Sequence, residues 1–224
     1  MTGANPKLEE LQNFLSENFD FRYNVLTDMP ECKPKDTNTY RMIDKRMMNT
    51  LCLRAMMQGV DCNDADVKRI LFSEQIASHH PFKDYMNDLP EWDGTDRVTM
   101  LAARVSGNGM WLNGFHYWML GMVAQWLGYP ARCANALAPI LISTEQGMGK
   151  STFCSMILPE ELRAYYTDKF AITSTSGCEQ KISTFGLINM DEFNMYTERM
   201  MTILKNLMQM KKVNYRKCFK AYFS

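Results

Sequence analysis

A segment of eight residues, T-E-Q-G-M-G-K-S, carries the side chains in this chain that are best suited to binding phosphate. Gly147 and Gly149 let the backbone approach a ligand with no side chain in the way. Lys150 is expected to reach the β- and γ-phosphates, and the Ser151 hydroxyl to bind Mg²⁺. Thr144 stands where the usual pattern G-x-x-x-x-G-K-[ST] has its first glycine. The segment predicts a site for ATP and Mg²⁺. The predicted binding residues are Thr144, Glu145, Gln146, Gly147, Met148, Gly149, Lys150, Ser151 and Thr152.

Such a loop needs a strand before it and a helix after it. The apolar run at 136–142 predicts the strand, and the stretch at 152–158 predicts the helix. In that order, the N–H groups of the turn converge on the phosphates and the helix N-terminus adds its positive dipole end. The alternative interpretation is a chance Gly-Lys-Ser sequence in a surface loop.

A second element with matching chemistry lies about 40 residues downstream, with the sequence G-L-I-N-M-D-E. It predicts a strand at 186–190 that delivers Asp191 to Mg²⁺ and Glu192 to the attacking water. Lys150, Asp191 and Glu192 are therefore the predicted catalytic residues, and Ser151 and Asp191 the predicted metal ligands. A local alternative, which does not exclude the first, makes the two acids the N-cap and first-turn acid of a helix at 193–208.

Composition narrows the classes of protein to consider. The chain has 224 residues, 46% of them hydrophobic, which suffices for one large domain or for one domain with a small accessory domain. A net charge of zero excludes electrostatic binding of nucleic acid by the chain as a whole. Seven cysteines without a C-x-x-C pair indicate reduced thiols and a cytoplasmic protein. Neither a signal peptide nor an apolar run of about 18 residues is present, so we expect no membrane partner.

Positive charge is concentrated near the end of the sequence. From Arg199 to Ser224 there are seven Lys and Arg residues and no Asp or Glu. Within this region, basic and aromatic side chains alternate, a combination that neutralises phosphates and stacks on bases. The expected contacts to single-stranded DNA are Lys211, Lys212, Arg216 and Lys217. The alternative is a solvated strand with a buried aromatic face. The final residues have no helix stop or polar tail, so we expect the sequence to be a fragment of a longer protein.

The remaining pattern predicts three segments. Residues 1–78 are expected to form a small, mainly helical α+β module, with helices at 7–18, 44–58 and 64–78, strands at 21–26 and 39–43, and a loop at 28–36. Asn63 is the expected N-cap of the third helix. Residues 79–133 are expected to be a helical linker region with helices at 98–105 and 110–127, the second well buried. Residues 134–224 are the predicted ATPase core, incomplete at its C-terminal end.

Three further features have ordinary structural interpretations. His79 and His80 lack further ligands at metal-binding spacing, so helix-end capping is preferred to a metal site. Trp92-Asp93-Gly94 is interpreted as a packed turn, with a substrate contact as the alternative. The 20 methionines are expected mainly to fill core gaps.

Several segments together resemble the virulence-associated protein E family. They are His80–Tyr85, Trp92–Gly94 with Arg97, and Gln146–Phe153, and Tyr215-Arg216 resembles a further family element. The resemblance covers roughly residues 20–217. It implies a P-loop NTPase core of AAA+ type, similar to superfamily 3 helicases. By the family's pattern, the loop at 144–152 and the pair Asp191-Glu192 are the Walker A and Walker B elements.

The same resemblance implies a homo-oligomeric ring that acts on DNA during replication of a phage- or plasmid-borne mobile element. A sensor asparagine and an arginine finger are then expected beyond residue 224. The rival class is a regulatory P-loop ATPase that switches partners without touching nucleic acid. A third possibility, a nucleotide or small-molecule kinase, would need a basic lid, and the 60 residues after Lys150 contain no arginine cluster of that kind.

Overall fold

The computed structural model describes residues 6–129, 136–172 and 175–210. It is a mixed α/β structure in which helices predominate. The described residues divide into two compact units, and the boundary falls between Asp84 and Tyr85. The three segments predicted from the sequence stay a prediction. The basic stretch at 211–223, with the expected DNA contacts, lies outside the described residues.

The first unit combines helices with a four-stranded sheet. Its helices are α1 (Pro6–Asn18), α2 (Lys45–Met57), α3 (Asp64–Leu71) and, at the boundary, α4 (Pro81–Asn87). Its strands are β1 (Phe19–Asn24), β2 (Met29–Pro34), β3 (Arg41–Met42) and β4 (Ser78–His79). The strand order is β3-β2-β1-β4, in which β2 is antiparallel to both neighbours and β4 is parallel to β1.

Side chains cap the N-terminal ends of α2 and α3. The Asn63 side chain accepts a hydrogen bond from the Asp66 N–H over 3.1 Å, and the Asp66 carboxylate accepts one from the Asn63 N–H over 3.2 Å. This reciprocal capping box confirms Asn63 as the N-cap of α3. Asp44 caps α2 through the Met47 N–H over 2.7 Å. Side chains thus satisfy two of the N–H groups left free at the start of α3, and one at the start of α2.

The core of the first unit lies between its helices and one face of the sheet. Leu11, Leu51 and Leu71 are fully buried at its centre, and Phe19 and Cys32 contribute from the sheet. The opposite face of the sheet is polar and carries cross-strand ion pairs, including Arg22–Glu31 at 2.6 Å. This alternation is typical of an antiparallel sheet with one solvated face.

The loop predicted at 28–36 is wrong, because Met29–Pro34 forms β2. Two prolines favoured a loop, since proline cannot donate to a ladder. The Tyr23 N–H donates to the Ala77 carbonyl on the β4 side, so the Tyr23–Pro30 pair is not hydrogen-bonded. Phe19–Pro34 shares that alternation. On the other side, β3 pairs with Glu31 and Cys32, and Pro30 serves there as an acceptor, from the Ile43 N–H over 2.9 Å. The third predicted helix also ends earlier, at Leu71, and residue 78 begins β4.

The second unit has five helices in its described part. They are α5 (Arg97–Ala103), α6 (Gly109–Leu127), α7 (Lys150–Met156), α8 (Thr175–Thr184) and α9 (Glu198–Gln209), with 3₁₀ turns at Glu160–Tyr165 and Phe193–Met195. Two short strands, β5 (Tyr166–Thr167) and β6 (Leu187–Ile188), pair in parallel. Hydrogen bonds from Gly186 N–H to the Tyr165 carbonyl and from Asn189 N–H to the Thr167 carbonyl extend the ladder.

Strand β6 lies between two helical clusters. Leu187 packs against the cluster of α5 and α6, in which Phe115 and Trp118 are buried. Ile188 packs against the cluster formed by α8, α9 and Phe170. Because successive strand residues point to opposite faces, an apolar pair such as Leu187-Ile188 suits a parallel strand buried on both sides.

The strand predicted at 136–142 is wrong, because these residues form no helix or strand. No strand of the described residues pairs with them, and Leu137, Ile140 and Ile142 are more than half exposed. An apolar run becomes a strand only where a neighbouring strand completes its hydrogen bonds.

The Trp92–Gly94 turn differs from its predicted structure, whereas the His79-His80 pair agrees with it. Trp92 is 77% exposed, so the turn at 92–94 is not packed, although its indole N–H donates to the Thr95 carbonyl. Asp93 instead holds Arg97 through two hydrogen bonds. At the start of α4, the His80 ring accepts from the Lys83 N–H and His79 contacts Asp84, in agreement with helix-end capping.

Candidate functional site

The loop that precedes α7 is exposed and contains two left-handed residues. Gly147 has φ +77° and Gly149 φ +79°, a region that disfavours any residue with a Cβ atom. A Cβ added at either glycine would meet no atom within 4 Å, so the backbone angle and not crowding requires glycine here. The Ser143 hydroxyl fixes the loop entrance through the Glu145 N–H and carbonyl, both at 3.1 Å.

Helix α7 begins immediately after this loop. The Gly149 carbonyl accepts the first helical hydrogen bond, from the Phe153 N–H over 2.8 Å. Gly149 is the N-cap and has no side chain, so no side chain occupies the N–H groups of the first turn. The predicted helix at 152–158 is therefore confirmed, with a start two residues earlier at Lys150.

Ser151 and Asp191, predicted as the two metal ligands, are in direct contact. The Ser151 hydroxyl donates to Oδ2 of Asp191 over 3.1 Å, across 40 residues of sequence. Oδ1 of Asp191 accepts from the Glu192 N–H over 3.0 Å. The Ser151 hydroxyl and the Asp191 carboxylate are both oxygen groups of the kind that Mg²⁺ prefers as ligands. Neighbouring ligands of an octahedral Mg²⁺ lie about 3 Å apart, so the spacing of these oxygens fits the ion.

A buried aromatic cluster positions the two elements that carry Ser151 and Asp191. Phe153 of α7 packs against Phe115 of α6, with ring centroids 6.1 Å apart. Leu187 of β6 packs on the same cluster, and the Trp126 indole N–H donates to the Gly186 carbonyl over 2.9 Å. Sequence reasoning missed these supports, for which the only signal was the aromatic density of α6.

Glu192 follows Asp191 in a strained conformation. Its φ of +51° and ψ of +44° place a non-glycine residue in the left-handed region, which costs of order 1 kcal/mol. Its side chain is exposed. It precedes the 3₁₀ turn at Phe193–Met195 without a side-chain cap. This left-handed residue turns the chain directly after Asp191, and no α-helix begins before Glu198.

The helix predicted at 193–208 is therefore wrong in its first part, and so is the N-cap interpretation of the acidic pair. The α-helix begins at Glu198, and Thr197 caps it by accepting from the Met200 N–H. The predicted strand at 186–190 is confirmed at Leu187–Ile188 only. Met200 and Met210 pack in the second cluster, but Met195 is 71% exposed, so the core interpretation of methionine holds for part of this stretch.

Within the described residues, the other predicted site residues form no side-chain hydrogen bonds with one another. Lys150 is the half-buried first residue of α7, and Thr152 is exposed one residue beyond Ser151. Thr144, Gln146 and Met148 are exposed along the loop. No ion pair within the described residues includes Lys150, Asp191 or Glu192.

Comparison with known protein families assigns the part of the chain that contains Ser151 and Asp191 to one family. Residues 86–223 match the model of the virulence-associated protein E-like domain, which is more than half of the chain. The chain belongs to the virulence-associated protein E-like family. No curated protein matches it.

The matched part of this virulence-associated protein E-like domain contains the Trp92–Gly94 turn, the loop at 144–151 and the pair Asp191-Glu192. Residues 80–85, which contributed to the resemblance in sequence, precede the match. The first unit lies outside it as well, so the match does not extend to the whole of residues 20–217.

The Asp191 carboxylate shapes the electrostatics of the site in this domain. Burial, followed by the negative charge of Asp191, raises the pKa of the Cys154 thiol on α7. The same two causes raise the pKa of the Tyr196 hydroxyl. Burial is the main cause of the raised pKa of Tyr166, and the negative charge of Asp191 makes a smaller contribution. The described side chains thus leave a negative field at Asp191 that a bound cation would neutralise.

None of the helices in the described residues combines the length and apolar character that crossing a bilayer requires. No group of three or more His, Cys, Asp or Glu side chains within those residues could hold a metal ion. A cation at Asp191 would therefore rely on Ser151 and on oxygens of a bound ligand for the rest of its shell.

Proposed function

We propose that this domain binds ATP with Mg²⁺ and hydrolyses ATP. The observation that carries the proposal is the contact between the Ser151 hydroxyl and the Asp191 carboxylate at 3.1 Å. In P-loop enzymes a serine or threonine after the lysine and an aspartate from a neighbouring strand together hold the metal of the nucleotide. A chance Gly-Lys-Ser in a surface loop gives no reason for this serine to meet an acid 40 residues away.

Each residue then has a separate task in hydrolysis. The N–H groups of the loop at 144–149 and the Lys150 ammonium hold the β- and γ-phosphates. Ser151 and Asp191 hold Mg²⁺, which when bound neutralises charge on the phosphate oxygens. Glu192 orients a water and accepts its proton as the water oxygen attacks the γ-phosphorus. The bond from the γ-phosphorus to the β–γ bridging oxygen breaks, which yields ADP and phosphate.

The proposed setting is a P-loop core of AAA+ type that acts in the cytoplasm as a ring on single-stranded DNA, during replication of a mobile element. Family membership and the concentration of Lys and Arg after residue 199 support it. A regulatory ATPase without a nucleic-acid partner is the alternative. Stimulation of ATP hydrolysis by single-stranded DNA in the full-length protein would favour the helicase, and its absence the regulatory ATPase.

The DNA contacts can be tested separately. Replacing Lys211, Lys212 and Lys217 with Ala in the full-length protein should reduce the slope of log affinity against log salt. Each phosphate contact on a single strand contributes a slope of about −0.7, so the expected change is up to about 2 units. Affinity for ATP should stay unchanged. An unaltered slope would assign the DNA contact to other residues.

Calorimetry of ATP binding, with and without Mg²⁺, tests the central proposal. Ser151→Ala should lower the affinity for ATP–Mg²⁺ about tenfold or more, and Ser151→Thr should restore it, because a threonine hydroxyl serves equally in such loops. Without Mg²⁺ the variants and the wild type should bind ATP alike.

Ser155→Ala is the matched control, since the Ser155 hydroxyl lies on the same helix and donates only to the Thr152 carbonyl. Equal effects of Ser151→Ala and Ser155→Ala, or no binding of ATP by the wild type, would contradict the proposal.

A further inference from the structure

Two thiols of the first unit lie in contact. The sulfur of Cys52, on α2, is 3.9 Å from that of Cys62, which lies two residues before α3. Both side chains are nearly buried, at 5% and 3% exposure. Each of the other described cysteines, Cys32, Cys154 and Cys178, lacks a second thiol at contact distance within the described residues. The proposed ATPase chemistry gives this pair no role.

A groove in the surface leads to the pair. It has a volume of about 530 Å³, and both thiols line it together with Leu53, Met56 and Asp64. Leu53 and Met56 are more than half exposed along its edge. A molecule with the size of a short peptide can therefore approach two sulfurs that are otherwise covered by protein.

We propose that Cys52 and Cys62 form a dithiol site that a small-molecule disulfide of the glutathione type converts to an intramolecular disulfide. One cysteine, as its thiolate, attacks a sulfur of the reagent after giving its proton to solvent. The S–S bond of the reagent breaks, and one half leaves as a thiol. The second cysteine attacks the protein sulfur of this mixed disulfide and releases the other half. Two electrons pass to the reagent, which becomes two thiols, and the chain loses two hydrogens.

The local structure permits the closure. A disulfide has an S–S length of about 2.05 Å, so the sulfurs must approach by roughly 1.8 Å. Cys52 lies within α2, whereas Cys62 lies in the connection after Gly59, a left-handed residue with φ +85°. We therefore expect Cys62 to supply most of the movement, and the disulfide to link α2 to the connection that precedes α3.

The closure is expected to be slow. Burial, followed by hydrogen bonds with Asp64 and Cys62, raises the pKa of the Cys52 thiol to about 12, which makes its thiolate rare at neutral pH. The reaction is best followed at mildly alkaline pH over hours.

The sequence provides a direct readout. Arg54 lies between the two cysteines, so trypsin places Cys52 in the peptide 47–54 and Cys62 in the peptide 55–68. The full native chain is incubated with oxidised glutathione, its remaining thiols are alkylated, and the digest is examined by mass spectrometry. We expect the linked pair of these peptides, separable by a reducing agent, to account for most of the disulfide between peptides.

Three comparisons make the result decisive. In denaturant the same treatment should become less selective, because only the short loop between the two cysteines then favours their pairing. Cys178→Ala, which removes a buried single thiol, should leave the linked peptides unchanged. Cys62→Ala should remove them and leave Cys52 as a thiol or as a mixed disulfide with glutathione. If the native wild type keeps both cysteines as thiols, stops at mixed disulfides, or links other cysteines preferentially, the proposal is wrong.

Discussion

The two units of this chain use different means to fix their important residues. In the first unit, β1 and β2 pair over six residues and enclose a core of fully buried leucines. In the second, β5 and β6 pair over two residues, and a serine and an aspartate 40 residues apart meet on the surface. The first is held by a long strand pairing and a large core, and the second by a few contacts between segments far apart in the sequence.

Because of this difference, substitutions should affect the two units in different ways. A residue such as Leu51 contributes to a large core, and its loss would weaken that core as a whole. The contact of Ser151 with Asp191 depends on Phe115, Phe153 and the hydrogen bond of Trp126 to Gly186. A single change in that set can separate Ser151 from Asp191 while most of the fold remains.

The largest effect is expected from a substitution of Glu192, the residue of the second unit that is proposed to activate water. Glu192→Gln in the full-length protein should reduce ATP hydrolysis by about 10²–10⁴-fold, because the amide cannot accept the proton of the attacking water. The affinity for ATP should change only a few-fold, since this group acts mainly in the transition state. Steady-state phosphate release and calorimetry measure the two quantities. Hydrolysis at the wild-type rate would remove Glu192 from the reaction.

A pair of core variants tests the comparison itself. Phe115→Ala should cost about 3–5 kcal/mol of stability and weaken ATP binding, because α7 loses its aromatic contact. Leu51→Ala should cost about 2–5 kcal/mol but leave ATP affinity unchanged. Differential scanning calorimetry and ATP titration at a temperature where both variants are folded check this. If both variants weaken ATP binding equally, the site is not supported locally as described.

A smaller effect is expected from the loop lysine. Lys150→Ala removes a charge-assisted contact worth about 1.5–3 kcal/mol, which corresponds to roughly 10–150-fold in ATP affinity. Lys169→Ala is a suitable control, since Lys169 is a second lysine of the same unit outside the loop. Calorimetry on both variants and the wild type makes the measurement. Equal affinities for wild type and Lys150→Ala would exclude Lys150 from the site.

The smallest effect tests the field of Asp191. Its negative charge is one of the causes that raise the pKa of Cys154, so Asp191→Asn should lower that pKa. More thiolate is then present at a given pH below the pKa, and alkylation of Cys154 by iodoacetamide should be faster. Asp168→Asn should have no such effect, because Asp168 does not contribute to the shift. A rate at Cys154 that is the same in wild type and Asp191→Asn would show that the carboxylate does not act on this thiol.

The parts of the structure that follow local rules were predictable from the sequence. Asn63 and Asp66 form a capping box because their spacing alone decides it. The apolar spacing of α1 and α6 located both helices to within about two residues. For the candidate site, the order of glycines, lysine and serine indicated the loop, and the acids after an apolar run indicated Asp191.

The rest of the structure depends on contacts between residues far apart in the sequence, which no local pattern predicts. Residues 136–142 look like a buried strand, yet a strand exists only where another one pairs with it. Met29–Pro34 looks like a loop, yet both prolines occupy positions whose missing N–H costs nothing in the pairing with β1. The indole N–H of Trp126 donates to the carbonyl of Gly186, which is 60 residues away in the sequence. Nothing in the sequence near either residue predicts this hydrogen bond.

All four tryptophans of the chain, at positions 92, 111, 118 and 126, belong to the second unit. Their intrinsic fluorescence therefore reports on that unit and is silent about the helices and sheet before residue 85. Trp118 is 8% exposed, whereas Trp92 is 77% exposed. Dissolved iodide should quench emission from Trp92 first and leave the blue-shifted emission of the buried indoles. Red shift of that protected emission on addition of denaturant would follow the opening of the aromatic cluster beneath α7 without any added label.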